Sequence, residues 1–266
     1  ATGLLKKMKN NTGGEINLEY LSYTGLPFIV KTLSKLTYTD IVTGVSSVKD
    51  FTYYGGHYFY DPYEIFTREY AGFHEVITAE NKGATTKTFF HQSQFAGDNA
   101  QSALFGEFND HISKKGRVYR EEIYDTNGNL FSSTLTKWGR VDLGNDRSFV
   151  SQDRVVNLTF DGDSSHRDTA EEFLYDQYGN VTKRTQWGEV SANINTGEFT
   201  DLGTDKITAQ ISYVLNLSSN IVNLPATQTL FGQDGVTKIK EAKFYYVLLA
   251  LGGVDKGNLT KQEDWV

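Results

Sequence analysis

Apolar residues fall on every second position in Ile16-Asn17-Leu18-Glu19-Tyr20, in Val156-Asn157-Leu158-Thr159-Phe160 and in Ile207-Thr208-Ala209-Gln210-Ile211-Ser212-Tyr213. A period of two is what a strand with one buried face requires. Segment 117–125, RVYREEIYD, alternates less cleanly, with Tyr119 and Ile123 on one face and Val118 and Tyr124 on the other. Helical spacing is weak throughout, and a short helix is expected at most around Asn99 to Phe108. The pattern predicts an all-β chain.

The turns carry more information than the strands. YDTNGNLFSSTLTKW (124–138) and YDQYGNVTKRTQWG (175–188) share the order Tyr-Asp-x-x-Gly-Asn-aliphatic, then polar alternation, then Trp. Gly128 and Gly179 suit the positive φ of a tight hairpin turn, and Asp125 and Asp176 are placed to accept backbone N–H groups across it. Tyr124 and Tyr175 stand at the strand ends, where a ring can cover the neighbouring hairpin. Weaker echoes follow at 231–246 and 255–265, so the repeat is degenerate rather than a strict array.

Composition agrees with this picture. The chain has 266 residues, 25 glycines but only 3 prolines, and an aromatic share of 14% dominated by Tyr and Phe. Such a chain buries a real core and turns on Gly, Asn and Asp. A formal net charge of -7 argues against a nucleic-acid partner. The longest apolar run, Phe244 to Leu251, is strand-sized, so no membrane span is expected. Cysteine is absent, which excludes disulfides and thiolate metal sites. The opening ATGLLKK has neither an initiator Met nor a signal-peptide pattern, as expected of a piece of a longer chain.

Arg68 and Glu69 are adjacent, so on a strand they face opposite sides and each needs its own cross-strand partner, with Tyr70 and Phe73 packed around them. Asp61, Glu64 and Glu69 could be a glycosidase carboxylate pair, but turn chemistry accounts for Asp61-Pro62 more simply. His57, His74, His91, His111 and His166 are scattered without a zinc-binding spacing. The segment DGDSSHRDTAEE places Asp161, Asp163, Ser165, Thr169 and Glu172 at calcium-loop spacing, yet His166 stands where the sharp-turn Gly belongs. A solvated acidic turn is the reading there, with calcium left open. No Ser-nucleophile elbow or Gly-rich nucleotide loop is present. The sequons at Asn157 and Asn180 lie in or beside predicted strands. The expectation is no catalytic, cofactor-binding or metal residues and no cofactor.

The Tyr-Asp units resemble the YD-repeats of Rhs-type proteins. LLKKMKNNTGGEINLEYLSY (4–23), LPFIVKTLSKLTYTD (26–40), TKTFFHQSQF (86–95), GEFNDHISKKGRVYREEIYD (106–125) and GNLTKQEDW (257–265) resemble the middle region of toxin-complex B components and related Rhs shell proteins. Arg68-Glu69-Tyr70-Ala71-Gly72-Phe73-His74 corresponds to a family motif close to Arg-Glu-Phe-Arg-Gly-Phe-Gly, with Ala71 and His74 as departures.

The resemblance implies an extended antiparallel β-hairpin ribbon of the shell, or cocoon, type, spiralling around a cavity. Residues 1–123 would be the B-component-like part and 124–266 the degenerate YD-repeat part, within one continuous sheet. The implied role is non-enzymatic enclosure of a toxin or other C-terminal cargo by a secreted or cell-surface bacterial protein. Its partners would be the rest of its own shell, the cargo and other toxin-complex subunits. The family's autoproteolytic site has no counterpart in these residues. An extracellular adhesion or glycan-binding module, with Trp138, Trp187 and Trp265 as the platform, is the alternative, and a carbohydrate-active enzyme is the third. An isolated segment of such a ribbon is expected to aggregate or dimerise through its open edges.

Overall fold

The computed structural model describes residues 3–60, 68–81, 83–93, 106–108, 110–162 and 164–265. It is almost entirely antiparallel strand, and strand order within its one large sheet follows chain order. Most strands therefore pair with their neighbours in sequence, as short polar turns between alternating segments dictate, while the order passes directly from Ser46–Tyr54 to Glu75–Glu80 and from Val181–Ala192 to Ile207–Asn216. Two compact units can be distinguished: Ala1–Leu135 with Thr159–His166, and Thr136–Leu158 with Arg167–Val266.

The first unit contains β1 (Lys7–Lys9), β2 (Gly14–Tyr23), β3 (Val30–Asp40), β4 (Ser46–Tyr54), β5 (Tyr58–Phe59), β6 (Glu69–Tyr70), β7 (Glu75–Glu80), β8 (Thr85–Phe90) and β9 (Val118–Tyr124). β10 (Leu130–Gly144) begins there too. β5 and β6 make a separate two-stranded ribbon, and β4 pairs with β7. The core is rich in rings: Phe73 packs against Tyr23, Tyr53 and Tyr70, while Tyr119 is fully buried beside His74, Phe89 and His91.

The second unit holds most of β11 (Arg147–Phe160) and β12 (His166–Tyr175), and all of β13 (Val181–Ala192), β14 (Phe199–Asp201), β15 (Ile207–Asn216), β16 (Ile221–Phe231), β17 (Lys238–Tyr246) and β18 (Leu259–Trp265). The alternation read at Val156–Phe160 is present residue by residue: Val156, Leu158 and Phe160 are buried, Asn157 and Thr159 exposed. Val214, Ala226, Tyr246 and Val254 form a small core between β15, β16 and β17.

Segment 117–125 departs from a one-sided strand. Tyr119 on one face and Arg120 and Glu122 on the other are all buried. The charged face is satisfied internally: Arg120 Nε donates to Glu122 Oε1 at 2.7 Å, and Tyr124 Oη donates to Glu122 Oε2 at 2.6 Å. Weak alternation here reflects a strand covered on both sides.

The Tyr-Asp turns are built as their residues require. Asp125 Oδ1 accepts the backbone N–H groups of Asn127 and Asn129, both at 2.8 Å, and Gly128 has φ +84°. Asp176 Oδ1 does the same for Tyr178 and Asn180 at 2.9 Å, and Gly179 has φ +86°. The same device recurs where no Tyr precedes it: Asp40 caps Val42 and Thr43, and Asp234 caps Val236 and Thr237. These bonds hold the Asp40 and Asp125 carboxyls below their usual range. Asp234 is brought down to about 2, chiefly by the Thr237 hydroxyl. Most of the helix expected at Asn99–Phe108 lies outside the described residues.

Candidate functional site

The described residues place one dense group of titratable side chains in the interior, and it was not apparent from spacing. β8 ends at Phe90, and the chain continues through His91, which is tied down on both backbone sides. His91 N–H donates to the carbonyl of Arg117 and Gly116 N–H donates to the carbonyl of His91, each at 2.9 Å. These bonds close the loop that runs from β8 to β9. Inside its returning limb a short 3₁₀ turn, Ile112–Lys114, is capped by His111, whose Nδ1 accepts from Ser113 N–H at 3.1 Å. That turn directs Lys114 inward, where its Nζ donates to the carbonyl of Phe108 at 3.1 Å.

Glu107 and Asp110, on the same limb, meet His91. His91 Nδ1 lies 3.1 Å from Asp110 Oδ1 and 3.8 Å from Glu107 Oε1. The three side chains are buried, with exposures of 0% for His91, 2% for Asp110 and 7% for Glu107. Burial holds the His91 imidazole below its usual pKa, against the pull of Asp110, and it does the same to His74. Burial and the neighbouring Asp110 carboxylate push Glu107 up to about 8. Tyr119, whose ring lies 5.1 Å from that of His91, is raised as well, first by burial.

The residues singled out in the sequence go elsewhere. Arg68 stacks over the Tyr60 ring at 5.0 Å, and among the described residues it has no ion pair. Glu69 is ion-paired with Lys115 at the surface. Ala71 is buried, and the Gly72 carbonyl accepts from Gln92 Nε2 at 2.9 Å, as does that of Gly55 at 2.7 Å. Gly55 and Gly72 are thereby stitched to the strand end that carries His91 and Gln92. Asp61 and Glu64 lie outside the described residues, as does Asp163. Thr169 and Glu172 lie on β12, and Glu172 accepts the Trp187 indole N–H at 3.0 Å. Trp187 also packs edge-on to Phe199 beneath Lys206. Trp138 and Trp187 are half-buried, whereas Trp265 is 52% exposed. His57 packs on Phe59, and His166 on Phe160.

A shallow cleft of about 620 Å³ opens in the second unit, lined by Arg140, Phe149, Arg154, Tyr175 and Trp187 among others. In its wall Arg154 grips Glu198 through two bonds of 2.9 and 2.7 Å.

Comparison with known proteins follows from this architecture. Residues 1–97 match the family described as insecticide toxin TcdB, middle/N-terminal region. No curated protein matches the chain by sequence. Among solved structures, TcdB2-TccC3 without its hypervariable C-terminal region superposes over 98% of this chain with a TM-score of 0.70 at 17% identity. It is a chain like the middle region of a toxin-complex B component. The Tc holotoxin pore of Photorhabdus luminescens, in a TccC3 variant, gives a TM-score of 0.73 at 17% identity, and TcdB2-TccC3-Cdc42 gives 0.71 at 16%. Each match covers 98% of this chain and 18% of the other, so the B-like segment spans less than a fifth of those polypeptides. The His91 cluster belongs to the part of this B-like chain just before and after residue 97, where the family match ends.

Proposed function

We propose that the chain is a wall segment of a hollow β shell that encloses and protects a toxin or other C-terminal cargo polypeptide, and that it is not itself an enzyme. The observation that carries this reading is the sheet: hairpin after hairpin added in chain order, matched along 98% of its length to the TcdB2-TccC3 fold. An unbroken antiparallel ribbon leaves few unpaired backbone groups and can grow around a space by adding strands. In this reading the ribbon spirals around a cavity, and the part from Tyr124 onward, where the Tyr-Asp turns begin, is a distinct repeat region. The rest of the shell, the cargo and other toxin-complex subunits are its partners, and the protein is secreted or displayed at a bacterial surface. No described helix is long and apolar enough to cross a membrane.

The test is protease protection in the complete polypeptide that carries this segment, assembled with its partner subunit. A protease-sensitive reporter in the cargo position is expected to outlast the same reporter freed in solution. Disrupting the wall with Tyr119→Asp is expected to remove that protection. Equal cleavage of the enclosed and free reporters would overturn the proposal.

A further inference from the structure

The interior group formed by His91, Glu107 and Asp110 has the composition and spacing of a metal centre. One imidazole nitrogen and two carboxylate oxygens lie within 4.8 Å of one another. Ligand atoms around a tetrahedral zinc, with bonds of about 2.0–2.1 Å, stand roughly 3.3 Å apart. The separations from His91 Nδ1, 3.1 Å to Asp110 and 3.8 Å to Glu107, bracket that value. An ion can therefore sit among the three with small side-chain adjustments, leaving a fourth position for water or a further donor.

The cluster is closed off from solvent, with Asp110 2% and Glu107 7% exposed. His91 is fully buried, and its Nε2 has no hydrogen-bond partner among the described residues. The ring's polar contacts among the described residues are made through Nδ1, toward the carboxylates. Two carboxylates held together away from bulk water need a proton or a cation between them. Around them Lys114 Nζ donates to the Phe108 carbonyl, Arg120 Nε donates to Glu122, and the rings of His74 and Tyr119 lie 6.2 Å apart.

We propose that His91, Glu107 and Asp110 bind a first-row divalent cation of the Zn²⁺ type, which ties Glu107 and Asp110 to His91 at the end of β8. The donors are one borderline nitrogen and two hard oxygens, a set suited to Zn²⁺ and, less tightly, Mn²⁺. The proposal concerns this chain's own residues and does not rest on the shell reading. Binding is expected to release protons, because the ligands must be deprotonated.

The experiment is equilibrium dialysis of the chelator-treated chain against Zn²⁺ at about pH 8, with metal measured by mass spectrometry and folding by circular dichroism. The expected result is one Zn²⁺ per chain, with affinity lowered about tenfold or more in Glu107→Gln and in Asp110→Asn. An ion retained at full affinity by both variants lies elsewhere and overturns the proposal, as does a wild-type chain that takes up none. Should the variants fail to fold, Co²⁺ on the wild-type chain decides. Intense visible bands of tetrahedral Co²⁺ support the site, and only the weak spectrum of the hydrated ion refutes it.

Discussion

His91 Nδ1 lies 3.1 Å from Asp110 Oδ1, although nineteen positions separate the two residues and neither belongs to a strand. The meeting is produced by backbone bonds at the base of the loop, where His91 pairs with Gly116 and Arg117. Around it the sheet supplies walls: His74 at the start of the chain leading into β7, Phe89 on β8, and Tyr119 on β9. A polar centre is therefore embedded in an otherwise repetitive ribbon.

Acid should weaken the hairpins. The Asp40, Asp125, Asp176 and Asp234 carboxyls are held below their ordinary values. A lowered folded-state pKa contributes stability that is present above the unfolded value and lost as pH falls through the folded one. For Asp234 that window runs from 3.8 down to about 2. Urea titrations at a series of pH values are expected to show stability falling below about pH 4, with a shallower fall in Asp234→Asn. A flat profile there would contradict the assignment.

The second Tyr-Asp turn offers a direct measure of its cap. Asp176→Ala removes acceptors for Tyr178 N–H, Asn180 N–H and Asn180 Nδ2. The expected loss is about 1 kcal/mol, read as a shift in the urea midpoint without a change in slope. Asp176→Asn keeps the Oδ1 acceptor and should recover most of it.

Gly55 is expected to be intolerant of a side chain. Its φ is +61°, and a Cβ there would stand 2.8 Å from the Cβ of His74. Gly55→Ala combines backbone strain of about 1 kcal/mol with a clash against a fixed neighbour, so a loss of roughly 2 kcal/mol is expected. Thermal unfolding measures it. An unchanged midpoint would mean that the close approach of Gly55 to His74 does not persist in solution.

Ser133, on β10, is completely buried, and its hydroxyl has no hydrogen-bond partner among the described residues. A buried hydroxyl in that state is a net cost. Ser133→Ala is expected to stabilise the chain by about 1 kcal/mol. A loss of stability in the same assay would reveal a partner for the hydroxyl.

The outermost strands should drive association. β1 and β18 each pair on one side only. Their exposed charges, Lys7 and Lys9 on one and Lys261 and Asp264 on the other, temper edge pairing without removing it. Light scattering is expected to show mass rising with concentration, and more steeply as salt screens those charges. A monomer at every concentration would count against open edges.

Much of the architecture was readable in the residues themselves. A period of two at Val156–Phe160 and Asp-x-x-Gly turns at Asp125 and Asp176 determine strands and hairpins, because both act over a few bonds of the chain. Pairing of sequence neighbours then follows from short connections. The Asp234 cap lies in the weaker echo at 231–246, and the Asp40 cap, built by the same chemistry, could have been read beside it. Both faces of β9 turned out to be covered, and RVYREEIYD hinted at this only by its poor alternation. The sequence alone could not place Arg68 on Tyr60 or Glu69 beside Lys115, since cross-strand partners depend on register. Least readable was the meeting of His91 with Glu107 and Asp110. Spacing along the chain carries no signal for groups that converge only when a long loop closes. Local rules therefore determined the ribbon, and only tertiary closure, which costs chain entropy and returns it in contacts, decided where its buried charges meet.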